Sequence, residues 1–235
     1  MSIKIHLEKI RHQISEACSK SGRAETSVNI LAVSKMQSLE TLMEACGAGL
    51  NTFGENYVQE ALEKQKQFSE KKLHWHFIGH LQTNKVKSIA GKFDYIHSVD
   101  RVSLADKLNS AHQEIQKKQK IFIEVNLAGE KSKSGVRPDQ LFDLFFHVVQ
   151  LEALQTCGLM IMPPMTKKAE DSRPYFVQGR ELLEKLNLLI DQEKLSAPKL
   201  TELSMGTSQD YLVAIEEGAT WIRLGSVLLG ERKAL

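Results

Sequence analysis

The chain has 235 residues, which one large α/β domain can fill, and 31 Lys plus Arg against 29 Asp plus Glu leave a net charge of only +2. No basic block is interleaved with aromatics, which removes the electrostatic basis for nucleic-acid binding, and no apolar run reaches the length of a secretory core or a membrane span. The expectation is a soluble cytoplasmic protein, and Cys18, Cys46 and Cys157, widely spaced among apolar neighbours, are expected to stay reduced.

In chain order, Ile3, Leu7, Ile10, Ile14 and Cys18 share one face of a first helix, which breaks at Ser21-Gly22 and is expected to cover the bottom or side of the domain. Short apolar runs come next at 28–34, 51–54, 75–79, 95–99, 121–127, 156–162, 199–204 and 220–224. Stripes of helical spacing lie between them: Leu39, Leu42, Met43 and Cys46; Leu104, Leu108, Ala111 and Ile115; Leu141, Leu144, Phe145 and Val148; Leu182, Leu186, Leu189 and Ile190. Eight strands alternating with helices over this length predict an α/β fold, a (β/α)8 TIM barrel with an extra N-terminal helix, as a single domain over 1–235. A doubly wound open sheet is the rival. It is disfavoured because no Gly-x-Gly-x-x-Gly follows the first strand and because candidate site residues follow several different strands. The segments 129–135 and 162–168 then become mouth loops.

Lys35 ends the first apolar run, where α/β folds put their chemistry, and its amine is placed to form a Schiff base. The plain alternative is a solvated charge. Leu203-Ser204-Met205-Gly206-Thr207-Ser208 passes from a strand into a helix with small residues and hydroxyls, the makings of an anion site; capping by Ser204 and Ser208 with a turn at Gly206 is the other reading. Arg223-Leu224-Gly225-Ser226 supplies a second set of donors on the next strand, with Arg223 and Gly225 on one face. Barrels commonly bind phosphate after strands seven and eight, and closure makes strand eight the neighbour of strand one. A Schiff-base lysine facing a phosphate cradle suits pyridoxal phosphate.

Other candidates carry less. His74-Trp75-His76 puts two imidazoles on one strand face with His80 near, but no acidic or Cys ligand completes a metal site, so ring-lining or capping is favoured. Asn56 is placed to hydrogen-bond a cofactor, while Glu55, Lys131, Lys133, Lys167 and Lys168 read as solvated charges.

The runs Ala32-Val33-Ser34-Lys35, Phe53-Gly54-Glu55-Asn56-Tyr57-Val58-Gln59-Glu60, the stretch from Trp75 through His80 to Lys85, Lys131-Ser132-Lys133-Ser134-Gly135, Gly158-Leu159-Met160 and Leu203-Ser204-Met205-Gly206 resemble the pyridoxal phosphate homeostasis protein family. Its members in turn resemble the N-terminal barrel domain of alanine racemase. The resemblance implies that Lys35 carries pyridoxal 5'-phosphate as an internal aldimine and that Ser204, Gly206, Thr207, Gly225 and Ser226 surround the phosphate. It also implies that Arg223 faces the pyridine nitrogen and that Asn56 and residues near His80 line the ring. A guanidinium there opposes protonation of the ring nitrogen and weakens the ring as an electron sink.

Two functions fit this pattern. The first is a non-catalytic carrier and regulator acting in pyridoxal phosphate homeostasis, a monomer that delivers the cofactor to apo-enzymes. The alternative is an amino acid racemase. The resemblance favours the carrier, because the racemases use a tyrosine base from an additional β domain and this chain ends soon after the eighth run. Lys35 alone could still exchange a proton slowly.

Overall fold

The computed structural model describes residues 2–130 and 133–231. Among these residues eight parallel strands close into a barrel in sequence order: β1 (Asn29–Val33), β2 (Thr52–Glu55), β3 (His74–Phe77), β4 (Tyr95–Val99), β5 (Gln119–Val125), β6 (Leu154–Ile161), β7 (Glu202–Thr207) and β8 (Trp221–Leu224). β1 closes on β8 with Leu31 opposite Arg223 and Ala32 opposite Leu224. The expected barrel and the expected strand count are therefore present.

The helices are α1 (Ile3–Lys20), α2 (Leu39–Gly47), α3 (Val58–Gln67), α4 (Val86–Ile89), α5 (Val102–Glu114), α6 (Leu141–Val148), α7 (Arg173–Gln192), α8 (Tyr211–Glu216) and α9 (Ser226–Leu229). Their apolar stripes pack on the outward side chains of the strands in one continuous core, with Leu42, Leu108, Phe145 and Leu186 all buried. The extra helix α1 lies on the side of the barrel, against α8, α9 and α2, and the Tyr211 hydroxyl donates to Gln13 Oε1 at 2.7 Å. Ser38 caps α2 through its hydroxyl, and Pro174 opens α7 where no amide donor is needed.

The seventh strand differs most from expectation, running over Glu202–Thr207 instead of 199–204. Leu200 N donates to Asn187 Oδ1 and Asn187 Nδ2 donates back to Leu200 O, so this stretch is tied to α7 before the sheet begins. At the far end Gly206 extends the strand with φ +88, and a Cβ there would meet Ala214 Cβ at 2.6 Å, so α8 packs where only glycine leaves room.

No helix among the described residues is long and apolar enough to cross a membrane. Cys18, Cys46 and Cys157 are free thiols. Lys131 and Ser132 of the quoted run, like the last four residues, lie outside the described residues.

Candidate functional site

Strand alternation decides which side chains enter the barrel. Leu31, Val33 and Ile78 form an apolar cluster with Trp221 that is separate from the helix-facing core. Positions two apart share a strand face. Lys35 thus continues the inward row of Leu31 and Val33, as Asn56 follows Gly54, His80 follows Ile78 and Gly225 follows Arg223, whereas Gly206, beyond a register shift in β7, turns toward α8. Every one of these residues sits at the C-terminal mouth, as barrel sites require.

On one side of the mouth, half-buried Lys35 neighbours the β8 end, where a Cβ on Gly225 would lie 3.8 Å from Val33 Cβ. Beside it, at the ends of the next strands β2 and β3, Asn56 and exposed His80 line a cavity of about 340 Å³ together with Val58 of α3, Phe77, Gln82 and Lys85. The loops after β2 and β3 meet closely there, since a Cβ on Gly79 would stand 2.2 Å from Asn56 O.

Arg223 is buried inside the barrel. Nη1 donates to Ser204 O at 2.6 Å and to Ser204 Oγ at 2.8 Å, while Nη2 donates to Ile161 O at 2.9 Å. Its acceptors are neutral, and burial pushes the guanidinium down to about 10, with Asp210 and Glu124 opposing that from farther away. It remains charged at neutral pH. Nε is buried without a hydrogen-bond partner, and so is Asn56 Oδ1.

Two members of the expected phosphate cradle are placed otherwise. Ser204 is fully buried in β7, its hydroxyl held between Arg223 and His97 Nδ1, so it supports Arg223 from below instead of reaching the mouth. Thr207 spends both its N–H (2.7 Å) and its hydroxyl (3.0 Å) on Asp210 Oδ1. Ser208 Oγ accepts from Gly225 N at 3.3 Å and joins the two loops. Of the first-turn N–H groups of α9, Leu228 N donates to Gly225 O at 3.0 Å, which leaves those of exposed Ser226 and Val227 with no acceptor inside the helix.

Glu55 is the clearest departure from a solvated charge. It is fully buried between the barrel and α3, where its Oε1 accepts from Ser34 Oγ at 2.6 Å and from Lys64 Nζ at 2.8 Å. Burial nonetheless raises its carboxyl above the usual range against the pull of Lys64 and Ser34. Lys133 is likewise engaged, pairing with Glu130 at 2.6 Å and donating to Pro163 O, so it bridges two mouth loops. His74 meets Asp94 at the outer bottom edge while His76 lies inside the barrel. Among the described residues no three His, Cys, Asp or Glu side chains are grouped to hold a metal ion.

Sequence reasoning missed three inward or supporting groups. His97 on β4 stacks on Phe122 at 4.2 Å, and burial holds it well below the usual imidazole range. Glu124 on β5 accepts from Ser134 Oγ at 3.0 Å; burial pushes its carboxyl up to about 7, aided by Asp100 and opposed by Ser134 and Arg223. Lys64 on α3 is buried with its partners. For the two strand residues the available signal was a polar side chain two positions from an aromatic in an apolar run, His97 after Tyr95 and Glu124 after Phe122.

The family model for "Alanine racemase, N-terminal domain" matches residues 5–233. The pyridoxal phosphate homeostasis protein of Aquifex aeolicus (strain VF5) is 43% identical over 227 residues, covering 97% of each chain. The protein of that name from Pseudomonas aeruginosa is 41% identical over 231 residues, covering 98% of this chain and 96% of its own. Among solved structures, PipY of Synechococcus elongatus PCC7942 with PLP bound superposes with a TM-score of 0.84 at 35% identity, over 97% of this chain and all of that one. Sequence and barrel agree, and the chain belongs to the pyridoxal phosphate homeostasis protein family, built on the alanine racemase N-terminal fold.

Proposed function

We propose that this chain binds pyridoxal phosphate at the barrel mouth and serves as a carrier in its homeostasis, with no strong catalysis of its own. The observation that carries the reading is the unspent donor of Arg223: a buried guanidinium with neutral acceptors on Nη1 and Nη2 and an unpartnered Nε fits a ring nitrogen as its missing acceptor. Asn56 Oδ1, equally buried and unpartnered, fits a second polar group of the same ligand. The cofactor supplies an aldehyde that condenses with an amine and a ring that withdraws electrons.

The chain's own residues do the rest. Lys35 would provide the amine from the β1 end, and the N–H groups of Ser226 and Val227 beside the glycine at 225 would hold the phosphate. Buried Arg223 stays charged at neutral pH, and a cation held against a ring nitrogen would oppose its protonation and weaken the ring as an electron sink. Such a site favours holding the cofactor over carbanion chemistry, and the homeostasis names of the relatives accord with this. Reduced thiols at Cys18, Cys46 and Cys157 suit a cytoplasmic location, and delivery to apo-enzymes goes with the carrier role.

Titrating the protein with pyridoxal phosphate and with pyridoxal, followed by visible absorbance, tests the reading. A new visible band saturating with pyridoxal phosphate is expected, with pyridoxal binding at least about tenfold more weakly for lack of charge-assisted hydrogen bonds. Absence of any band, or equal affinities, would overturn it.

A further inference from the structure

Beneath the mouth, four polar side chains cross an interior that barrels usually fill with branched apolar residues. Arg223 Nη1 donates to Ser204 Oγ at 2.8 Å, Ser204 Oγ lies 2.9 Å from His97 Nδ1, and His97 Nε2 lies 3.0 Å from His76 Nδ1. All four are buried. The two rings are held in place by their neighbours, His97 by Phe122 at 4.2 Å and His76 by Tyr95 and Trp221 at 4.6 Å each.

Donor counting gives the chain a direction. A guanidinium only donates, so Ser204 Oγ accepts from Arg223, and its single hydroxyl hydrogen is left for His97 Nδ1. His97, accepting at Nδ1, carries its proton on Nε2 and gives it to His76 Nδ1, which puts the His76 proton on Nε2 as well. The opposite arrangement would turn both His97 and Arg223 donors onto Ser204 Oγ and leave the hydroxyl hydrogen buried without an acceptor among the described residues. Burial disfavours a cationic form of either ring, with Asp94 alone pulling the other way at His76 against His74 and Lys120.

We infer that His97 is the positioning residue for Arg223: acting through Ser204, it fixes the guanidinium so that Nε, the donor left over, points at the ligand in the mouth. This rests on the proposed binding of pyridoxal phosphate. His97 touches no ligand itself. It sets which acceptors occupy Nη1, and thereby where the remaining donor stands.

The tautomers are read first, by long-range 15N–1H correlation spectra of the protein without cofactor at neutral pH. Both His97 and His76 are expected neutral with the proton on Nε2; a cationic ring or an Nδ1–H tautomer at His97 overturns the inference, whatever the protein binds. His97→Leu, which removes the acceptor, and His97→Gln, whose amide oxygen can still accept from Ser204, are then titrated with pyridoxal phosphate. The Leu variant is expected to bind about tenfold more weakly with a displaced visible band, and the Gln variant to stay within about twofold of wild type. If the two variants behave alike, the role is packing and the inference falls. Should His97→Leu fail to fold by circular dichroism, Ser204→Ala breaks the same joint: a similar loss of affinity with shifted His97 15N signals supports the inference, and unchanged affinity overturns it. Wild-type protein that binds no pyridoxal phosphate removes the binding reading, while the tautomers still decide the relay.

Discussion

The Nζ of Lys64 lies 2.6 Å from the carbonyl oxygen of Ser34, so a buried cation on α3 holds the peptide unit just before Lys35. Glu60, one helical turn away and paired with Lys64 at 2.6 Å, accepts from Met36 N at the same distance. Lys35 is thus clamped on both flanks. Met36 has φ +58, a conformation that non-glycine residues seldom adopt and that costs roughly 1–3 kcal/mol unless its surroundings enforce it.

Lys64→Met is expected to destabilise the protein by about 3–5 kcal/mol in urea unfolding, because it leaves Glu55 as a buried carboxylate without its cation. Adding Glu55→Gln should restore part of that loss. A single-variant cost below about 1 kcal/mol, the range of exposed pairs, would mean that the network does not hold the turn.

Borohydride treatment of the protein loaded with pyridoxal phosphate, followed by peptide mass mapping, should mark Lys35. Lys35→Ala should remove both the label and the visible band while leaving the unfolding midpoint within the small change usual for a half-exposed site. A label on another lysine with Lys35 empty would refute its role.

On the proposed placement of the charged Arg223 beside the ring nitrogen, incubation with L-alanine should give no racemisation above that of free cofactor, as read by chiral chromatography. Arg223→Glu should raise the background proton exchange and weaken cofactor binding. Wild-type turnover at ordinary enzymatic rates, about 1–10³ per second, would instead make the protein a racemase.

Glu124 should leave a signature in stability against pH. Its carboxyl, at about 7 when folded and 4.5 ordinarily, binds a proton in the folded state that the unfolded chain has released, so its contribution is full below pH 4.5 and lost as pH rises through 7. His76, pushed down to about 3, gives the opposite slope below pH 6.5, and so wild type alone does not isolate Glu124. The difference between Glu124→Gln and wild type does: it should shift in favour of the variant by roughly 2–4 kcal/mol from pH 4.5 to pH 8. A flat difference would put Glu124 in a wetter setting than its burial indicates.

Part of the candidate site was legible in the sequence where period-two alternation continues to the strand ends, as it does on β1 and β8. It carried Arg223 to Gly225 and placed Lys35 at the mouth. What stayed hidden depends on elements far apart in the chain. Glu55 read as solvated because nothing local says that Lys64 and Ser34 surround it. Ser204 read as a phosphate ligand because its hydroxyl is claimed from β4 and β8, which spacing along β7 does not reveal. Thr207 gave its donors to Asp210 only three residues on, a local turn that competes with any ligand.

The side chains that fill the barrel also dictate traffic. Trp221 Nε1 and the Tyr95 hydroxyl both donate to Glu202, and with His76 and Phe122 they stopper the N-terminal end of the bore. The vessel is blind-ended: for the proposed carrier, cargo would leave by the opening it entered, and a recipient would have to approach that rim, within reach of exposed Tyr57, Met165 and Val227.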